Sequence, residues 1–368
     1  MLAKVLNKAA RAVSVATAAA LLGCPIDEEA ASQSDTASTS ASSTTSGEES
    51  SSESQEYLLV LSSRRDGNSE IYLSPDNGEP RRRITNTPDR RDWFVTCSSD
   101  GRFIVYSGLI QGQDEDVFVY DIASNVETEL APSSGDDLHP SWSPSGESVV
   151  FTSTRSGTPG IYIAHLDGGE PIQLTDGGDS YPVWSPDGKK IAFLSGRDGH
   201  RELYVMDADG GNVTNVSNAP ERIESRQAWS SDGTRIAFDS AIMREGSQIY
   251  VADLRDGTII NVSNDPVSAG SPDWDPTGDR IVFVSARGDT RSDIYVVDAN
   301  GENLSAVAIH AETDRTPVWS PDGQRIVFAS ERDDPLTDIY IVDADGSNLV
   351  RLAADGLDAE PHWCTIVP

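Results

Sequence analysis

Three cysteines in 368 residues are too few for a disulfide framework, and Cys24 lies near the N-terminus, far from Cys97 and Cys364. Positive charge is scarce too. The 28 lysines and arginines face 60 aspartates and glutamates, a formal charge of -32. A field of that sign excludes nucleic acid as a partner and opposes docking on anionic lipid headgroups. G-x-S-x-G, H-E-x-x-H and C-x-x-C are all missing, which weakens an enzymatic reading. The five histidines, His139, His165, His200, His310 and His362, fall at unrelated places in the chain and read as scattered loop or surface residues, so neither metal nor cofactor is implied.

The apolar stretch Ala12–Leu22 is shorter than the ~20 residues a membrane-spanning helix needs. It follows Lys4, Lys8 and Arg11 and stops at Gly23-Cys24, the order of a secretory signal. Leu21-Leu22-Gly23-Cys24 is similar to the bacterial lipobox, in which the cysteine thiol takes the lipid; residues 1–23 are therefore expected to be removed and Cys24 acylated. Residue 25 is proline rather than aspartate, which points to the outer membrane, facing the periplasm or the exterior. Residues 24–56 carry eight acids and no base among serines and threonines, the composition of a disordered tether. Without signal and tether the folded part keeps a charge of about -27.

Beyond residue 57 one phrase recurs: WSPSGESVVF from Trp142, WSPDGKKIAF from Trp184, WSSDGTRIAF from Trp229, WDPTGDRIVF from Trp274 and WSPDGQRIVF from Trp319. CSSDGRFIVY from Cys97 puts cysteine in the tryptophan's place, and a seventh copy begins at Trp363. The intervals are 45, 42, 45, 45, 45 and 44 residues, a period that demands a repeat architecture. Apolar residues occupy both alternation phases around the turn: Pro317, Trp319, Ile326 and Phe328 on one, Val318 and Val327 on the other. Both sheet faces are therefore buried. Ser-Pro-Asp-Gly is hairpin chemistry, since proline presets φ, aspartate bonds to nearby backbone and glycine accepts positive φ. A third strand such as DIYIV from Asp338 and a weak fourth complete each unit.

Four-stranded antiparallel units stacked on both faces predict an all-β, seven-bladed propeller over residues 57–368. The stretch from Tyr57 lacks a tryptophan strand and the C-terminal PHWCTIV supplies one, so the two ends are expected to close one mixed blade. Trp142, Trp184, Trp229, Trp274, Trp319 and Trp363 are expected to pack between blades. Cys97 and Cys364 then lie on first strands of adjacent blades but on opposite alternation phases. The reading favours two buried thiols, with an inter-blade disulfide as the alternative.

The pattern P-x-W-S-P-D-G-x-x-I-x-F, followed by S-x-R and D-I-Y-x-x-D, resembles the WD40-like propeller repeat of TolB and its relatives over nearly all of residues 57–368. TolB itself has six blades and a smaller N-terminal domain, and other relatives are lyases or peptidase-linked propellers; the resemblance implies the fold and leaves function open. DADGGN from Asp207, DANGEN from Asp298 and DADGSN from Asp343 offer oxygens suited to calcium, yet their recurrence at one repeat position favours hairpin turns. Asn212, Asn215, Asn261 and Asn303 match glycosylation acceptors, a match with little weight in a bacterial lipoprotein.

The residues just before the repeat proline or its replacement, His139, Tyr181, Arg226, Ser271, Thr316 and Glu360, vary while the scaffold around them does not. If first strands start at one channel mouth, these six form a candidate ligand ring. The expectation is a monomeric propeller, acylated into the bilayer, that binds an envelope protein, peptide or glycan without catalysis. Two alternatives remain: a polysaccharide lyase or hydrolase using His139 and Glu360, and a purely structural scaffold.

Overall fold

A computed structural model describes residues 57–78, 81–242, 245–288, 291–333, 336–352 and 358–365; the signal, Cys24 and the tether lie outside the described residues. The described residues hold strands and turns and no helix. Asp137–Trp142, Ser148–Ser153, Gly160–His165 and Ile172–Gln173 lie side by side and antiparallel, and the other repeats do the same. At the first hairpin of a late repeat, Ser320 Oγ donates to Asp322 Oδ1 at 2.5 Å, Asp322 Oδ1 accepts from the Gln324 amide at 3.0 Å, and Gly323 takes φ 69°. The sequence phrase is a turn, as its chemistry requires.

Seven four-stranded sheets result, forming a seven-bladed propeller. Blades one to six cover residues 90–130, 137–173, 179–215, 222–261, 269–308 and 314–351. Blade seven is mixed: Asp358–Thr365 pairs with Tyr57–Ser63, which pairs with Glu70–Pro75 and then Arg82–Arg83. The first and last of the described strands thereby meet in one blade and close the ring.

Neighbouring blades share their cores. Trp319 of blade six packs with Val282 and Val296 of blade five as well as with Phe328 and Tyr340 of its own blade. The indole N–H groups of Trp142, Trp229, Trp274 and Trp363 donate to Thr96, Val183, Ala228 and Val318 carbonyls of the preceding blade at 3.3, 3.2, 3.0 and 3.3 Å. Arg235, Arg280 and Arg325 sit over Trp274, Trp319 and Trp363 at 4.9, 4.6 and 5.3 Å from the ring centroids. Trp142, Trp229, Trp274 and Trp319 are buried, whereas Trp184 and Trp363 are only half-buried at the edges of their clusters.

An ion pair ties the top of most blades. The arginine of Ser-x-Arg reaches a fully buried aspartate near the start of the first strand: Arg155–Asp137 at 2.8 Å, Arg197–Asp179 at 2.8 Å, Arg332–Asp314 at 2.9 Å and Arg65–Asp358 at 3.2 Å. Arg287 reaches Asp265 in blade five at 3.4 Å, and Arg90 serves Asp92 in blade one at 2.6 Å. Blade four has Ile242 where the arginine belongs. Its carboxylate, Glu224, accepts from Ser240 Oγ at 3.1 Å and leaves Oε2 buried without a partner. Burial pushes the Glu224 carboxyl up to about 7.

One expectation is corrected here. Cys97 and Cys364 form a disulfide, with Cα atoms 5.6 Å apart. Alternation within a single strand puts them on opposite phases, but they belong to different sheets, and the packing of blade seven against blade one turns the two side chains toward each other. The bond encloses 267 residues of sequence separation and fastens the C-terminal strand to blade one.

Candidate ligand site at the channel mouth

A cavity of about 730 Å³ opens along the central channel, within the size range of ligand sites. His139, Tyr181, Arg226, Ser271, Thr316 and Glu360 all line it, so the structure brings the six sequence-selected residues together. Phe94 is a seventh member that the sequence reading missed. It stands three places before Cys97, and extending the repeat alignment to that cysteine would have found it.

A repeated bulge presents these side chains. In blade two the strand pairing jumps from Leu138↔Thr152 to Ser141↔Val150, so His139 and Pro140 together face one residue, Phe151. The same bulge gives Phe94, His139, Tyr181, Ser271, Thr316 and Glu360 φ values between 46° and 55°. Arg226 is the exception: its bulge falls one place earlier, and Arg226 and Gln227 pair with Asp239 and Phe238 in the ladder. There the Arg226 amide donates to Asp239 Oδ1 at 2.5 Å and Gln227 Nε2 to the Tyr181 carbonyl at 2.5 Å.

The mouth has two kinds of wall. Phe94 and His139 meet edge to face with centroids 4.9 Å apart, and His139 stacks on Tyr181 at 3.6 Å. The other four blades contribute Arg226, Ser271, Thr316 and Glu360. Glu360 Oε2 accepts the Phe94 amide at 2.9 Å and so links blade seven to blade one. Burial pushes the His139 imidazole down to about 4, leaving it neutral near pH 7, and raises the Glu360 carboxyl.

Deeper in the channel, Trp229, Asp273, Val318 and His362 line both this cavity and a second one of about 280 Å³. His139 and His362, unrelated in repeat position, therefore face one channel. Burial, aided by the Arg226 charge, pushes His362 down to about 4; burial pushes Asp273 up to about 7, although Asp273 Oδ2 accepts the Trp319 amide at 2.8 Å. The remaining histidines are engaged elsewhere or exposed: His165 Nδ1 bonds Ser148 Oγ at 2.7 Å, His310 Nδ1 accepts the Glu312 amide at 3.2 Å, and His200 is exposed. Asp207, Asp298 and Asp343 accept from the side-chain amides of Asn212, Asn303 and Asn348 at 2.5, 2.6 and 2.7 Å, the work of a hairpin turn. Among the described residues no group of three or more metal-ligating side chains gathers.

The TolB beta propeller domain matches residues 96–202 and 200–365. The chain belongs to the TolB β-propeller family. It is 36% identical over 111 residues to an uncharacterised protein of Agrobacterium fabrum, covering 30% of this chain and 36% of that protein. A TolB homologue of Chlorobium luteolum is 30% identical over 114 residues, 28% of this chain and 26% of the relative. This propeller thus spans about a third or less of the length of those curated relatives. Among solved structures, TolB from Acinetobacter baumannii superposes with a TM-score of 0.56 at 18% identity, over 84% of this chain and 66% of that one. An oligogalacturonate lyase in complex with manganese gives 0.64 at 17% identity, over 78% and 85%. Identities this low establish a shared fold alone.

Proposed function

We propose that the protein is a lipid-anchored extracytoplasmic propeller that binds an envelope protein, peptide or glycan at its channel mouth without turning it over. The observation that carries this reading is the filling of the left-handed positions. Non-glycine residues pay roughly 1–2 kcal/mol for that conformation, least so asparagine. Away from the mouth the non-glycine residues in that conformation are six asparagines, Asn125, Asn212, Asn218, Asn264, Asn303 and Asn348, and one alanine, Ala131. At the mouth the chain uses Phe94, His139, Tyr181, Ser271, Thr316 and Glu360 instead. Strain accepted six times around one cavity points to side chains kept for what they present. Export is supported by the lipobox-like Cys24 and by the disulfide, a bond of oxidising compartments.

Replacing Tyr181, Arg226 and Glu360 together by alanine should abolish capture of an envelope ligand in a pull-down while the far-ultraviolet spectrum stays that of a β-propeller. Undiminished capture would refute the site. Metabolic lipid labelling with fractionation tests the anchor, and a soluble, unlabelled product unaffected by Cys24→Ala would remove it.

A catalytic reading is favoured by one observation, the Asp273 carboxyl held near 7 inside the channel. It displaces His139 as the candidate base, since a group near 4 is a weak acceptor of protons. Product release from an acidic polysaccharide, lost in Asp273→Asn, would establish it.

A further inference from the structure

Arg226 is the cationic member of the mouth ring, in a folded part whose formal charge is about -27; Arg201 also lines the cavity, but its Nε donates to the Glu224 carbonyl at 2.7 Å. Most arginines of this propeller are tied to carboxylates, but among the described residues no ion pair or hydrogen bond holds the Arg226 guanidinium. The nearby Glu360 carboxylate is engaged with the Phe94 amide. Two more polar groups of the cavity wall, Thr316 Oγ1 and His139 Nδ1, are buried without a hydrogen-bond partner. A planar guanidinium in a concave site, with hydrogen-bonding groups around it, matches a carboxylate.

Tyr181 and Arg226 stand on adjacent blades and line the same cavity, so apolar surface and the guanidinium share one mouth. An acid and an apolar group on neighbouring atoms of the ligand meet this arrangement, and the last residue of a peptide has both on its α-carbon. A pyranose fits less well. His139 and Tyr181 spend their faces on each other, and Phe94 meets His139 edge to face, so the arc offers ring edges and clefts rather than an open platform.

We propose that the mouth receives the C-terminal end of an extended peptide, its carboxylate on Arg226 and its last side chain against the Phe94–His139–Tyr181 arc. This rests on the channel-mouth reading above. The test immobilises the full-length protein and applies N-acetylated hexapeptides, random in the last two positions, as free acids and as C-terminal amides. Free acids ending in an apolar or aromatic residue should bind at least tenfold tighter than their amides. Arg226→Gln should erase that difference at unchanged thermal stability, and Tyr181→Ala should weaken both pools. Equal binding of acids and amides, lost in Tyr181→Ala, would overturn the carboxylate assignment and leave the mouth site standing. Retention of neither pool by the wild type would overturn both readings for peptides. A galacturonate trimer held in an Arg226-dependent way in place of peptide would overturn the choice of ligand.

Discussion

Cys97 and Cys364 join the first strand of blade one to the last strand of the chain, and thereby lock the blade that the two termini share. The strand they fasten covers Tyr57–Ser63, which would otherwise be an open edge. Replacing both cysteines by serine should cost about 2–5 kcal/mol, as loss of a native disulfide ordinarily does. Thermal unfolding of wild type with and without reductant, beside the double variant, measures it. Alkylation of both thiols in the unreduced native protein would show that the bond is not formed.

Removing residues 358–368 should do more harm than losing the disulfide, because it uncovers the whole Tyr57–Ser63 edge as well as the bond. Size-exclusion chromatography should show association of the truncated chain, and a monomer with wild-type melting would contradict closure by the C-terminal strand.

The tryptophans should fall into two classes. Trp229→Ala and Trp319→Ala each empty a buried inter-blade site and should cost roughly 3–5 kcal/mol. Trp184→Ala and Trp363→Ala remove half-buried rings and should cost less. Denaturant titration of the four variants decides the ranking.

Glu224 is the acid whose blade lost its arginine, and its stability effect has a definite sign. Its folded-state pKa, about 7, lies above the ordinary value of 4.5. The folded state therefore holds this proton more tightly than the unfolded chain, and the contribution is fully present below about pH 4.5 and lost as pH rises toward 7. The loss amounts to about 3 kcal/mol at most. Glu224→Gln should flatten the decline in stability between pH 5 and 7.5, read by urea unfolding at a series of pH values. A slope unchanged from wild type would mean that Glu224 is ionised in the fold.

Blade number, hairpins and the mixed seventh blade were legible in the sequence because period, turn residues and apolar alternation are local signals. So was the ring of His139, Tyr181, Arg226, Ser271, Thr316 and Glu360, since each stands at a fixed offset from a tryptophan or its equivalent. The disulfide was not, because it depends on how two different sheets face each other. Nor was the shifted bulge at Arg226: Gln227 in place of proline was visible, but only the pairing with Asp239 shows that this one residue stays in the ladder. His139 and His362 share a cavity through the depth of the channel, which sequence offset cannot express.

That difference in backbone between Arg226 and its ring neighbours supplies an internal control. Thr316 is β-branched and sits at φ 46°, a conformation unfavourable for its side chain, and its Oγ1 is buried without a partner. Asparagine tolerates the left-handed region, as six turns of this chain show. Thr316→Asn should therefore stabilise the propeller by about 1 kcal/mol through relief of backbone strain. Arg226 lies outside that region, so Arg226→Asn should bring no such gain. If the mouth binds a ligand through these side chains, Thr316→Asn should weaken capture while raising the melting temperature, because the strained residue is kept for binding rather than for the fold. Thermal melts and ligand capture on the same two variants separate the effects: a Thr316→Asn protein no more stable than wild type would remove the argument that strain at the mouth marks a site.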